Sequence, residues 1–410
     1  MGNHTKCRIC RSPLPPPFLD LGATPLANSF LASPVEFKDE PTFPLAVTAC
    51  RDCGLVQLTY VVPAEQLYRK YVYVSSTSDA VGQYADRLAT RLTKRYGWGP
   101  SDLVVEVASN DGTVLKAFQR RGLRVLGIEP ARNIAELAER DGVPTVPEFF
   151  CESTATQQHE QVGEVVAILG RHVFAHIDDL HDFLRGASAL LRKDGVLLIE
   201  VPYLGELLSN LEFDTVYHEH LSYVSLRPVA RLCAEYGMSL VEVEPVDLHG
   251  GSILMHIRRA GGPYRQSETV QMMLQQEETV GIHRSDNLER FADHVRTWRE
   301  QFVDFIGDLE RSGAYLIGYG AAAKANTLLN YCPEVARCLS LILDKSPHKQ
   351  GLLTPGTHIP VRPASEWEAS GASHLLILAW NFREEIMRQM QPFAKRGGRF
   401  VVPIPNPEVI

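Results

Sequence analysis

Four consecutive residues, Tyr217-His218-Glu219-His220, set two imidazoles beside a carboxylate and a phenol. Imidazole changes charge near neutral pH, and a carboxylate or hydroxyl next to it can fix its tautomer and make it a working base. The cluster suits removal of a proton from a weakly acidic position. Arg171-His172-Val-Phe-Ala-His176 brings two further histidines. Proton removal leaves negative charge behind, and His176, His172 and Tyr217 are candidate donors to it. His218 and His220 with Glu219 also offer metal ligands, although adjacent residues converge on one ion only when a rigid scaffold makes them.

Two turns of nucleotide-binding character flank this cluster. The first is Glu106-Val-Ala-Ser-Asn-Asp-Gly112, between an apolar run and an amphipathic segment. Glu129 closes the next apolar run, 17 residues beyond Gly112, near the ~20 at which an acid meets a ribose in such units. The turn carries Asn110 and Asp111 in place of a G-x-G-x-x-G run, which speaks against a pyrophosphate and for S-adenosylmethionine. Glu106, Ala108, Asn110, Asp111, Gly112 and Glu129 are the expected cofactor contacts. The second turn, Gly318-Tyr-Gly-Ala-Ala-Ala-Lys324, again leads into a helix, and Asp344 again ends the following run. Its amides and Lys324 suit a phosphate, either of a dinucleotide or of a nucleotide-linked substrate. His249-Gly250-Gly251-Ser252 is a third polar turn, and upstream Tyr71 and Tyr73 precede a polar patch, Ser75-Ser-Thr-Ser-Asp79.

Elements that alternate short apolar runs with amphipathic segments must position these residues. Leu103–Val107, Arg124–Glu129, Val165–Leu169 and Val196–Val201 read as strands of a parallel α/β sheet. Leu191-Arg-Lys-Asp-Gly195 reads as a helix end with a glycine stop, and one helical stretch is expected from Ala64 through Tyr84. Residues 266–312 are polar and helical, suggesting two helices, and a second α/β unit begins at Ala314. Cys7-Arg-Ile-Cys10 and Cys50-Arg-Asp-Cys53 pair as two C-x-x-C knuckles, the donor set of a closed structural zinc site. The other four cysteines are scattered.

The chain has 410 residues, 45% apolar and 22% charged, with a formal net charge of −8. That balance suits a globular enzyme and gives no attraction to nucleic acid. No run nears the ~20 apolar residues that span a bilayer, and residues 1–6 lack a signal-peptide core. A cytoplasmic protein with neither membrane nor nucleic-acid partner is expected, monomeric or weakly self-associating.

Taken together, the paired knuckles, Thr24-Pro-Leu-Ala-Asn28, Ala108-Ser-Asn-Asp-Gly112, Tyr217–His220, His249–Ser252 and Gly318–Lys324 make the chain resemble the SAM-dependent sugar C-methyltransferases of deoxysugar biosynthesis. The resemblance spans nearly the whole length. It implies an α/β protein in three parts: an N-terminal zinc-binding lobe (1–65), a central class I SAM-methyltransferase Rossmann-like domain (66–265) and a C-terminal Rossmann-like domain (266–410). It implies transfer of methyl to C-3 of a dTDP- or GDP-linked 4-keto-6-deoxysugar, with S-adenosylmethionine as cofactor and zinc in a structural role at Cys7, Cys10, Cys50 and Cys53. The base would be His220, aided by Glu219 and Tyr217, with His176 near the sugar. His172 stands where some relatives carry asparagine. Tyr71, Tyr73, Ser75, His249, Gly250, Gly251, Ser252, Gly318, Gly320, Lys324 and Asp344 would face the substrate. Methylation at C-5, sugar O- or N-methylation and a nicotinamide-dependent sugar oxidoreductase or epimerase are the alternatives.

Overall fold

A computed structural model describes residues 2–69, 74–77, 79–246 and 251–410. Three larger sheets organise them, beside a two-stranded pairing of Gly2–Asn3 with Tyr60–Val61. The first is antiparallel and belongs to the N-terminal lobe: β1 (Leu19–Thr24), β2 (Phe43–Ala49) and β3 (Val56–Leu58) run in that order. A distant two-residue strand, Ser222–Tyr223, extends it by pairing with β3, Ser222 opposite Gln57. The segment that follows the Tyr217–His220 cluster is therefore built into the N-terminal lobe.

The described part of the stretch expected as one helix divides into α1 (Ala64–Tyr68), a 3₁₀ turn (Ser75–Thr77) and α2 (Asp79–Tyr96). The serine- and threonine-rich patch explains the break, because such side chains compete with the helix for its own backbone groups.

The central sheet holds β4 (Leu103–Val107), β5 (Arg124–Ile128), β6 (Thr145–Val146), β7 (Val165–Arg171), β8 (Leu191–Pro202), β9 (Met238–Val246) and β10 (Ser252–Arg259). Their spatial order is β9-β10-β8-β7-β4-β5-β6. Strands β4 to β8 pair in parallel, while β10 runs antiparallel to both β8 and β9. Every residue of β4 is buried, as a strand with both faces covered requires. Helix α3 (Thr113–Gln119) covers one face, burying Val114, Leu115, Ala117 and Phe118. Gly195 does not stop a helix. The preceding helix ends at Leu190, and β8 already includes Leu191, with a register shift before Val196. A Cβ at Gly195 would lie 2.7 Å from the Leu191 side chain, so glycine serves an irregular strand here.

The polar stretch after β10 makes α4 (Glu268–Val280) and the long α5 (Ser285–Arg311). Ser267 caps α4 by accepting from the Val270 amide, and Gly281 ends it in the left-handed region at φ +70°. The last sheet has order β13-β12-β11-β14-β15-β16, from β11 (Leu316–Tyr319), β12 (Leu339–Asp344), β13 (Val361–Pro363), β14 (His374–Ile377), β15 (Arg399–Val402) and the antiparallel β16 (Glu408–Val409). Helix α6 (Ala323–Tyr331) follows β11. One apolar cluster runs from Leu19 and Val47 of the N-terminal sheet through Phe213 and Trp298 to Leu343 and Val401 of this one. No helix among the described residues is long and apolar enough to cross a membrane. The α/β class expected from the sequence is the class found.

Candidate active site

In the central sheet the chain goes outward through β4, β5 and β6, then returns to place β7 on the other side of β4. Such a reversal opens a crevice at the strand ends. The turn 108–112 occupies it. Ala108 and Asn110 adopt φ of +52° and +51°, a conformation that non-glycine residues hold only under constraint. Glu129, next after β5, supplies part of that constraint: Oε2 accepts from the Asn110 amide and Oε1 from the Ala131 amide, both at 2.9 Å. Burial pushes its carboxyl upward. Gly112 is left-handed at φ +74°, and a Cβ there would meet Val143 at 2.7 Å. Glu106 is 3% exposed and its Oε2 has no hydrogen-bond partner among the described residues. Burial raises its pKa to about 8, so it is chiefly protonated at neutral pH. An orphaned carboxyl oxygen beside a strained turn fits a polar ligand, and these are the residues that could hold S-adenosylmethionine.

The sheet rim continues into a buried charge network that sequence reasoning missed. Glu200, at the end of β8, is fully buried and takes Arg171 in a fork, Nη2 to Oε1 at 3.0 Å and Nε to Oε2 at 3.2 Å. Tyr84 of α2 donates to Oε2 at 2.5 Å. His172 Nε2 lies 3.0 Å from Oε1, and its amide donates to the Glu200 carbonyl at 2.7 Å. The Arg171 guanidinium, together with the His172 contact, holds the Glu200 carboxyl far below its ordinary range despite its burial. His172 itself sits at φ +49°. An acid closing an apolar strand is the one sequence signal that could have flagged Glu200.

His220 has both ring nitrogens engaged. Nδ1 donates to the Thr215 carbonyl at 2.8 Å, which leaves Nε2 to accept from the Tyr217 hydroxyl, also at 2.8 Å. Burial, then His176, depress its pKa well below 6.5. The ring is a neutral base with its lone pair on Nε2. The tautomer is fixed by a backbone carbonyl rather than by Glu219, whose Oε1 accepts from Asn28 Nδ2 of the N-terminal lobe at 2.6 Å. His176 packs against His220, centroids 4.9 Å apart. Tyr68 of α1 donates to the Glu219 carbonyl at 3.1 Å and accepts from His176 Nδ1 at 2.9 Å. Burial takes His176 down to about 4. His218 turns away and donates from Nε2 to the carbonyls of Phe43 and Pro44. A cavity of about 520 Å³ opens beside Tyr68 and His176, within the size range of small-molecule sites.

The C-terminal sheet approaches the same cluster. Lys324 places Nζ 4.8 Å over the Trp380 ring, buried and with no hydrogen-bond partner among the described residues. Trp380 Nε1 donates to Asp214 Oδ2 at 2.7 Å, in the segment that leads to Tyr217. Around the glycine turn itself the space is filled by protein. A Cβ at Gly318 would meet Leu378 and Ile342, and one at Gly320 would meet Ala379, each within 2.9 Å. Asp344 accepts the Ala321 and Ser346 amides at 2.7 Å each. Lys349, also unnoticed in the sequence, donates to the Ala321 carbonyl at 2.8 Å.

Other expected contacts lie elsewhere. Ser75 and Ser76 donate their amides to Asn110 Oδ1 and Asp111 Oδ2 at 2.8 and 2.9 Å, so this patch docks on the cofactor turn. Gly251 and Ser252 stand at the start of β10, where Gly251 takes the Tyr203 amide at 3.2 Å and Ser252 opposes Pro202. Tyr71, Tyr73, His249 and Gly250 lie outside the described residues. Cys7, Cys10, Cys50 and Cys53 place their sulfurs within 4.8 Å of one another. Burial pushes the Cys50 thiol up to about 11. Four such groups in one buried cage call for a dication, and a closed tetrahedral zinc fits that donor set.

Comparison with known proteins agrees on the class. Family profiles match in succession: "Putative zinc binding domain" at residues 7–68, "Methyltransferase domain" at 81–243 and "C-methyltransferase C-terminal domain" at 247–405. The chain is 36% identical over 405 residues to C-methyltransferase NovU of Streptomyces niveus, covering 99% of this chain and 96% of that one. Among solved structures, mitomycin 7-O-methyltransferase MmcR aligns at TM-score 0.35 and 19% identity over 45% of this chain and 55% of its own. Magnesium protoporphyrin IX methyltransferase ChlM of Synechocystis PCC 6803, with bound SAH, aligns at TM-score 0.35 and 12% identity over 44% and 83%.

Proposed function

The chain belongs to the C-methyltransferase family, takes its methyl from S-adenosylmethionine and binds zinc at its N-terminal cysteines; from that premise we propose that it methylates C-3 of a nucleotide-linked 4-keto-6-deoxysugar. The observation that carries this reading is the neutral His220, buried, with a single tautomer and its lone pair on Nε2.

A C–H bond beside a ketone is acidic enough for imidazole only if the enolate is stabilised. His220 Nε2 takes the proton, and the C–H electron pair passes into the enolate. Tyr217 is placed to give up its hydrogen bond to Nε2 and donate to the enolate oxygen instead. Removing one such donor costs roughly 2.7–4 kcal/mol in other enzymes. His176 has its Nδ1–H committed to Tyr68 and offers an acceptor at Nε2, so it suits a sugar hydroxyl better than an oxyanion. The Lys324 ammonium, its Nζ buried without a hydrogen-bond partner among the described residues, adds positive charge on the side of the C-terminal sheet. S-adenosylmethionine, when held by Glu129 and the 106–112 turn, supplies the electrophilic methyl that the enolate carbon requires. Glu200 holds Arg171 and His172 through its carboxylate and so orders the start of the segment that leads to His176.

The test is mass spectrometry of dTDP- and GDP-4-keto-6-deoxysugars incubated with the protein and methyl-deuterated S-adenosylmethionine. One labelled methyl on carbon, accompanied by solvent exchange of the C-3 hydrogen, is the expected result. Label on oxygen or nitrogen without exchange, or no transfer across the panel, would overturn the substrate class.

A further inference from the structure

We propose that the Cys7–Cys10 knuckle positions the two histidine segments and that it acts through Arg8, an inference that rests on reading His220 as the base. Arg8 lies inside the first knuckle, one residue from Cys7, yet its side chain is only 1% exposed. Its main-chain amide donates to Gln57 Oε1 at 3.0 Å. The guanidinium then reaches three acceptors in two directions. Nε donates to Asp178 Oδ1 at 3.1 Å, and Nη1 donates to the carbonyls of Leu58 and Leu221 at 3.2 Å each.

The places of those acceptors make the case. Leu221 directly follows His220, and its amide donates to the carbonyl of Ala175, the neighbour of His176, at 2.7 Å. Asp178 lies two residues beyond His176. Leu58 belongs to β3, and its own amide also donates to the Leu221 carbonyl at 3.0 Å. One guanidinium thus ties the knuckle, the N-terminal sheet and the backbone on the far side of both histidines into a single network. Only the planar, multi-donor head of arginine can serve several fixed acceptors at once; a lysine can reach some and not all. A buried arginine is otherwise costly, and the hydrogen bonds of this one go to the junction. The cage of four sulfurs fixes the backbone on both sides of Arg8 and so gives the guanidinium a rigid root.

The experiment compares zinc-loaded wild type with Arg8→Met, Arg8→Lys and Asp178→Ala. Four quantities are read: bound zinc, S-adenosylmethionine affinity by calorimetry, solvent-deuterium exchange at the carbon beside the ketone, and imidazole nitrogen NMR of His220. Arg8→Met is expected to keep zinc and cofactor affinity while slowing exchange roughly 10²-fold, the scale of an ångström-level misplacement. Arg8→Lys should recover part of that loss. In Arg8→Met the two nitrogens of His220 should lose their distinct protonated and unprotonated signatures. Wild-type exchange and an unaltered nitrogen pattern in zinc-loaded Arg8→Met would overturn the proposal. Should Arg8→Met lose zinc or fail to fold, Asp178→Ala decides: slowed exchange with zinc retained supports the positioning role, and unchanged exchange refutes it. If wild type exchanges none of the ketosugars, the substrate class is wrong, and the nitrogen pattern still judges Arg8 independently.

Discussion

The turn after β4 and the turn after β11 share a backbone device. In each, the acid that ends the next strand accepts a turn amide, Asn110 to Glu129 at 2.9 Å and Ala321 to Asp344 at 2.7 Å. Their surroundings differ. The first turn holds two non-glycine residues at positive φ and borders an orphaned carboxyl oxygen on Glu106. In the second, both glycines are pressed against Leu378, Ile342 and Ala379, so that the missing side chains make room for protein. Lys324 Nζ, one step further along and beside Trp380, has no hydrogen-bond partner among the described residues. A glycine-bearing strand–helix turn therefore says little about ligands by itself. What distinguishes the two is which polar atoms remain unsatisfied once the protein has packed.

Five substitutions would break or sharpen that contrast. The largest effect is expected at the cluster the two halves enclose: His220→Asn should cut methyl transfer by roughly 10²–10⁴, the range of a general base, with S-adenosylmethionine affinity by calorimetry unchanged. Weakened cofactor binding would place His220 in the cofactor site instead. Next, Glu129→Ala removes a charged acceptor with bonds worth roughly 1.5–3 kcal/mol and should weaken the cofactor about tenfold or more, while Asp344→Ala leaves that affinity as it was. Equal losses from both would erase the contrast.

A third effect is read in pH. Burial holds His176 near 4, below its unfolded value of 6.5, so the unfolded chain binds the extra proton. The stability tied to this group is present above pH 6.5 and drains as pH falls toward 4. Thermal unfolding from pH 7.5 to 4.5 should show a steeper decline for wild type than for His176→Asn; parallel curves would contradict the buried, neutral assignment. The smallest effect is Gly320→Ala. At φ +93°, with Ala379 Cβ 2.8 Å from the new methyl, it should lose about 1–2 kcal/mol for the left-handed conformation alone. Cofactor affinity should not follow. A large loss of S-adenosylmethionine binding would make the second turn part of the cofactor site.

Much of the molecule was legible in the chain. Apolar runs of strand length alternating with amphipathic segments dictate a parallel sheet, because only that arrangement buries both strand faces. The spacing of Gly112 and Glu129 and the two C-x-x-C pairs specify their chemistry locally, since each depends on residues that a turn or knuckle brings together. The histidines were visible as residue types at strand ends. Their hydrogen-bond partners were not. Glu219 is adjacent to His220 in sequence but meets Asn28, 191 residues away, while the tautomer falls to Thr215. Tyr68, Glu200, Lys349 and Arg8 join the site or its frame from separate elements, and none breaks the local pattern around it. Periodicity fixes which way a side chain leaves its own helix or strand; it carries no information on what stands opposite. That was decided when three sheets packed around one junction, where most buried donors found an acceptor from whatever part of the chain lay within reach.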